Sequence, residues 1–135
     1  LPESLKELGM LVLKDRHIEL NFQSDPDGHE IDDHLKIFVF RVAEEYLKKV
    51  CLSSGASEIT MICKISKQDV ILEIKDNGNP GPRVTDAMNK RIVGLKERVL
   101  MTGGEIEFRH SRVNKTSLFV RVLLNNGFDF ETTNL

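Results

Sequence analysis

Apolar positions along the chain change period several times, and each change marks an element. Leu5, Leu8 and Val12 recur at helical spacing behind Glu3 and Ser4, which predicts a helix over residues 3–13. Gly9 weakens it and is a place where it can end early. Residues 17–23 then alternate, with Ile18, Leu20 and Phe22 on one face, as a half-buried strand does. Ser24-Asp25-Pro26-Asp27-Gly28 has turn chemistry. Asp32 or Asp33 caps the longest helix, which runs to about Cys51 with Leu35, Phe38, Val39, Val42, Ala43, Tyr46, Leu47 and Val50 in register. Ser53-Ser54-Gly55 breaks it. Strands are expected at about 57–66 and 69–76, joined at Lys67-Gln68. Residues 77–90, polar and rich in Gly, Pro and Asn, read as a long mobile loop. A helix over about 91–101 ends at Gly103-Gly104. Strands at about 105–110 and 116–124 follow, the second apolar on both faces and therefore central. The tail after Asn125 is polar.

Five strands and three helices in this order favour an α/β two-layer sandwich, a mixed β-sheet with helices packed on one face. Length fits one domain, 1–135. Residues 1–15 are expected to lead in from an upstream domain, and about 125–135 to form a C-terminal tail. The absence of an initiator Met agrees with a piece of a longer protein.

Charge and cysteine content narrow the function classes. The chain is 40% hydrophobic and 30% charged with a net charge of −2, so no global basic field draws it to nucleic acid or anionic lipid. No apolar run approaches the roughly 20 residues of a membrane span, and no signal peptide is evident. Cys51 and Cys63 lack metal-site spacing and read as buried small hydrophobes of a reducing compartment. His17, His29, His34 and His110 form no ligand pair.

The chemistry concentrates in Val70-Ile71-Leu72-Glu73-Ile74-Lys75-Asp76-Asn77-Gly78-Asn79-Pro80-Gly81. An apolar strand delivers a carboxylate to its end and turns sharply beyond it, which suits a pocket lip. Three pieces then occur in a familiar order. They are Arg41-Val42-Ala43-Glu44-Glu45-Tyr46-Leu47, Asp76-Asn77-Gly78, and Gly94-Leu95-Lys96-Glu97-Arg98-Val99 followed by Gly103-Gly104. Across nearly its whole length the chain resembles the catalytic ATP-binding domain of bacterial sensor histidine kinases, which shares its fold with gyrase B. The nitrate-sensor branch is the most similar. The resemblance implies that Asp76 accepts a hydrogen bond from the adenine amino group and that Gly78 lets backbone approach the base. It also implies nucleotide-binding positions at Gly81, Gly94 and Thr116. Glu45 matches the acid that activates or orients the attacking group. An ion pair with Lys49, four residues on, is the alternative for Glu45.

Departures from the family pattern cluster on the phosphate side. Where relatives have an Mg²⁺-binding Asn, this chain has Lys49, which offers no acceptor. Lys49 either neutralises a phosphate or is a solvated helix residue. Pro80 replaces the second glycine of the Asp-x-Gly-x-Gly turn, with Gly81 one place late. Asn89-Lys90-Arg91 stands where relatives have Gly-x-Gly, and Lys115 precedes Thr116 in place of a glycine. Lys49, Lys90, Arg91 and Lys115 are therefore candidate phosphate or anion contacts, and no metal ligand is assigned.

The expected function is the ATP-binding-like domain of a two-component sensor kinase, with ATP as ligand, Mg²⁺ in doubt and turnover weak or lost. Its partners would be the phospho-accepting dimerisation domain of the same protein and a response regulator. Its location would be cytoplasmic, with no nucleic acid bound and no membrane insertion of this domain. The alternatives are a non-enzymatic interaction module on the same fold and, less favoured, an anti-sigma serine kinase.

Overall fold

A computed structural model describes residues 1–25, 30–111 and 115–124. In chain order it has α1 (Pro2–Val12), β1 (Glu19–Ser24), α2 (Asp33–Lys49), a 3-10 turn (Cys51–Ser53), β2 (Glu58–Ile65), β3 (Asp69–Asp76), α3 (Pro82–Met101), β4 (Glu105–Ser111) and β5 (Lys115–Leu123). The strands make one sheet in the order β1-β2-β3-β5-β4. β1 runs parallel to β2 and every other pair is antiparallel, so the sheet is mixed, as expected.

The period-2 pattern sends one residue set inward. Ile59, Met61 and Cys63 of β2, Val70, Leu72 and Ile74 of β3, and Leu118, Val120 and Val122 of β5 are buried. They meet Leu5 and Leu8 of α1, Phe38, Val42 and Tyr46 of α2, and Met88, Leu95 and Val99 of α3 in one core. The reverse face, with Glu73, Lys75, Ser117 and Arg121, stays partly exposed. Among the described residues no helix is long and apolar enough to cross a membrane.

Three local expectations need correction. α1 does not stop at Gly9. An added Cβ there would lie 2.7 Å from Leu20 Cδ2, so the missing side chain lets the helix settle on β1. The β2–β3 turn owes its stability to Ser66 rather than to Lys67-Gln68: its hydroxyl accepts from the amides of Gln68 and Asp69, both at 3.1 Å. The largest correction concerns 77–90. That segment is a five-residue turn, 77–81, after which α3 begins about nine residues earlier than expected. Gly81 takes φ +87° at the N-cap, which L side chains disfavour, and Pro82 fills the first helical turn where its missing N–H costs nothing. Thr85 bonds back to the Gly81 carbonyl through its amide at 3.1 Å and its hydroxyl at 2.8 Å. Val84, Met88, Ile92, Leu95 and Val99 then supply a continuous apolar stripe.

The C-terminus of α3 is a Schellman motif, as Gly103-Gly104 suggested. Gly103, at φ +81°, donates to the Leu100 carbonyl (2.9 Å), and Gly104 donates to the Val99 carbonyl (3.2 Å). Pro26–His29 and the tail from Asn125 lie outside the described residues.

Gly94 sits mid-helix in α3, exposed, with no atom within 4 Å of an added Cβ. Gly94→Ala is therefore expected to stabilise the chain by about 1 kcal/mol through helix propensity. Thermal unfolding of the variant checks this; a lower melting temperature would contradict it.

Candidate functional site

β3 carries Asp76 inward at its last position, opposite Ile59 of β2 and Thr116 of β5. The residue is only 6% exposed. Its Oδ1 accepts the Gly78 amide at 2.7 Å, which is how the glycine turn holds the carboxylate. Its Oδ2 is buried and accepts no well-aligned hydrogen bond; the Cys51 thiol and the Ser54 hydroxyl, which donates to the Cys51 carbonyl at 2.8 Å, are only weak neighbours of the carboxylate. Burial pushes the carboxyl above the ordinary Asp range. The Gly78 amide, the Cys51 thiol, the Ser54 hydroxyl and the charge of His110 offset only part of that effect.

Side chains not singled out in the sequence surround this carboxylate. The Tyr46 hydroxyl is also buried without a partner, and its ring meets Phe108 edge-on at 6.0 Å. Burial pushes the Tyr46 phenol and the Cys51 thiol well above their usual ranges, and the charge of Asp76 raises both further. Thr116 donates to the Gly78 carbonyl at 3.3 Å and lies 3.3 Å from His110 Nδ1. His110 could have been placed from sequence through the β4–β5 pairing, where it lies opposite Thr116. Tyr46 was visible as a core position, but its proximity to Asp76 depends on a tertiary contact.

The turn after Asp76 is bound to the loop before β2. Asn77 Oδ1 accepts the amides of Ser57 (2.9 Å) and Glu58 (3.2 Å), and the Asn79 amide donates to the Ser54 carbonyl at 2.7 Å. This gives Gly78 a packing role in the fold. A Cβ there would fall 2.5 Å from the Ser54 carbonyl oxygen and 2.8 Å from the Ala56 nitrogen. Gly78 lets its own backbone pack on residues 54–56.

A second group assembles between α2 and α3. Glu45 Oε1 lies 2.9 Å from Arg91 Nε and 3.5 Å from Lys49 Nζ. The Glu45–Lys49 pair expected as an alternative is thus present, and Arg91 is added to it from the other helix. Glu45, Lys49 and Arg91 border a cleft of about 660 Å³ with Arg83, Val84, Ala87, Met88 and Lys90. The same three border an adjoining space of about 550 Å³ with Arg41, Glu44 and Lys48.

Two candidates stand apart. Lys115 shares the reverse face of the sheet with Ser117 and borders a different recess with Glu73, Lys75 and Arg109. The register explains this: Thr116 faces inward, so its neighbour must face outward. Gly94 borders neither cleft between α2 and α3, because it lies on the exposed side of a continuous helix.

The donor chemistry suits adenine better than Mg²⁺. An amino group would satisfy the orphaned Oδ2 of Asp76. Mg²⁺ requires oxygen ligands in octahedral array, yet Glu45 is already bonded to two cations and Glu44 to Lys48 at 3.3 Å.

No protein-family model matches the chain. Over 141 residues it is 26% identical to the signal transduction histidine-protein kinase/phosphatase DegS of Bacillus subtilis (strain 168), covering 92% of this chain and 36% of that protein. The DegS of Brevibacillus brevis is 23% identical, covering 88% of this chain and 33% of that protein. The chain thus spans about a third of the length of the curated relatives it matches. Among solved structures, the nucleotide-free catalytic domain of histidine kinase ThkA superposes with a TM-score of 0.64 at 15% identity, over 91% of both chains. The Acinetobacter baumannii histidine kinase AdeS gives a TM-score of 0.65 at 17% identity, over 92% of this chain and 62% of its own. In fold the chain is similar to the catalytic domains of histidine kinases, and over nearly all its length its sequence is similar to the DegS histidine kinases.

Proposed function

We propose that the chain is the nucleotide-binding domain of a two-component sensor kinase, with its adenine-recognising side retained and its phosphoryl-transfer side attenuated. One observation carries the first half: the buried, unpartnered Oδ2 of Asp76. Leaving a buried charged acceptor unmatched costs about 1–3 kcal/mol, and an adenine amino group would remove that cost. Thr116, at the same end of the sheet, offers a second polar contact. ATP would supply the phosphoryl group, which a histidine on a separate dimerisation domain would accept before a response regulator.

The second half rests on Glu45. A carboxylate bonded to Arg91 and Lys49 is poorly placed to orient an attacking group. Lys49 supports the same reading, because it stands where relatives of this type hold Mg²⁺. A non-enzymatic role on this fold gains support from α3, which leaves Val93 73% and Met101 65% exposed.

Titration of ATP and ADP, with and without Mg²⁺, tests the reading by thermal shift. A ligand at 100 times its dissociation constant stabilises the fold by about 2.7 kcal/mol. No shift at millimolar nucleotide would overturn nucleotide binding and leave the interaction role. Lys49→Asn is expected to strengthen the Mg²⁺-dependent part of the shift. Unchanged binding would show that Lys49 does not stand at the metal position.

A further inference from the structure

The clefts between α2 and α3 carry a charge pattern that adenine recognition does not explain. Arg41, Lys48, Lys49, Arg83, Lys90 and Arg91 border them, against Glu44 and Glu45. Six cations against two carboxylates leave an excess of four positive charges, on a chain whose net charge is −2. Among the described residues, Arg41, Arg83 and Lys90 make no ion pair. Such a concentration of like charge is self-repelling unless an anion enters it. The pattern also comes from two elements at once. Arg41, Lys48 and Lys49 belong to α2, while Arg83, Lys90 and Arg91 belong to α3. The charge therefore converges on the space between the helices.

We propose that this cleft binds a polyphosphate directly through side-chain cations, without a divalent metal, and that Arg91 leaves Glu45 to make the contact. The inference rests on the nucleotide reading for the source of the polyphosphate, since the adenine end would lie at Asp76. A guanidinium offers a planar fork that fits phosphate as well as carboxylate, so Arg91 can exchange one for the other. Lys49 and Lys90 supply point charges of the kind Mg²⁺ gives in other phosphate sites. Glu45 then acts as an internal competitor: it holds Arg91 at 2.9 Å until a more highly charged anion displaces it. Lys49, 3.5 Å from the same carboxylate, is freed in the same exchange.

Calorimetric titration of the full chain with inorganic tripolyphosphate in EDTA tests this directly, with ATP in EDTA, ATP in Mg²⁺, and adenosine as parallel arms. Tripolyphosphate is expected to bind in EDTA and to compete with ATP. Arg91→Gln and Arg83→Ala should each weaken it about tenfold, the usual loss for one charged hydrogen bond. Glu45→Gln should tighten it, because a neutral amide no longer competes for Arg91. Lys64→Ala, on exposed β2 surface away from the cleft, should leave it unchanged. Absence of tripolyphosphate binding in EDTA would overturn the proposal. So would weaker binding by Glu45→Gln, or an equal loss in Lys64→Ala, which would signal nonspecific charge screening. If Arg91→Gln fails to fold, Glu45→Gln and Arg83→Ala still decide the matter. The two readings fail separately. ATP that binds only with Mg²⁺ sinks metal-free capture and keeps nucleotide recognition. Tripolyphosphate that binds while adenosine and the base of ATP add nothing keeps the capture site and sinks adenine recognition.

Discussion

Asp76→Asn is expected to stabilise the ligand-free chain and to weaken adenine-nucleotide binding at least about tenfold. Both effects come from the same atom. In the free chain Oδ2 is buried and unmatched, and a neutral amide in that position is cheaper to bury than a charge. The gain should be about 1 kcal/mol, or roughly 4 °C in melting temperature for a chain of this size. In the complex, Asn has only one acceptor. Turned toward the Gly78 amide, it faces the base amino group with a donor; turned the other way, it faces Gly78 with one. The pH dependence has a definite sign. Burial holds the folded-state pKa of Asp76 above its unfolded value, so the folded chain binds this proton more tightly. The penalty is absent below the unfolded pKa, about 3.9. It grows as pH rises through the folded value and is complete above it. The stability difference between variant and parent should therefore widen over that window and then level off. Denaturant unfolding of both chains from pH 4 to 8 measures it, and a variant less stable than its parent at pH 7 would refute the account.

Gly104→Ala should be strongly destabilising. The added Cβ would lie 1.9 Å from the Arg121 carbonyl oxygen and 2.9 Å from its carbon. These are backbone atoms of β5, fixed between Ile71 of β3 and Glu105 of β4, and they cannot rotate away as a side chain could. Overpacking of this kind costs about 3 kcal/mol, which lowers the melting temperature by about 10 °C. Gly103→Ala, strained by its positive φ, should cost about 1 kcal/mol. Thermal unfolding of the two variants side by side separates the causes, and equal losses would mean that β5 yields to the new methyl.

Elements set by a regular apolar period were legible before any coordinates. The inward sets of β2, β3 and β5 follow from alternation alone, and α2 from eight residues at helical spacing. α3 was half missed for a specific reason. Polar Thr85, Asp86 and Asn89, together with Asn79-Pro80-Gly81-Pro82, hide the spacing of Val84, Met88 and Ile92. Pro82 after Gly81 looked like loop chemistry but is the opening of a helix. At the site, Asp76 was legible because a strand end and a glycine turn flank it in sequence. Arg91 was expected near phosphate, yet its partner is Glu45, 46 residues away, and only tertiary packing joins them. Lys115 was misplaced because its neighbour Thr116 belongs to the site and strand alternation separates the two.

The bonds that bind Asn77 and Asn79 to residues 54–58 have a kinetic consequence. They hold this turn fixed, so on the nucleotide reading admission and release of a ligand are expected to depend on a less tightly held wall. The first half of α3 is that wall, anchored by buried Met88, half-buried Val84 and the Arg91–Glu45 ion pair. On that reading, ligand residence time should follow how often α3 lifts from α2, with amides of 83–90 exchanging faster than those near 77–79.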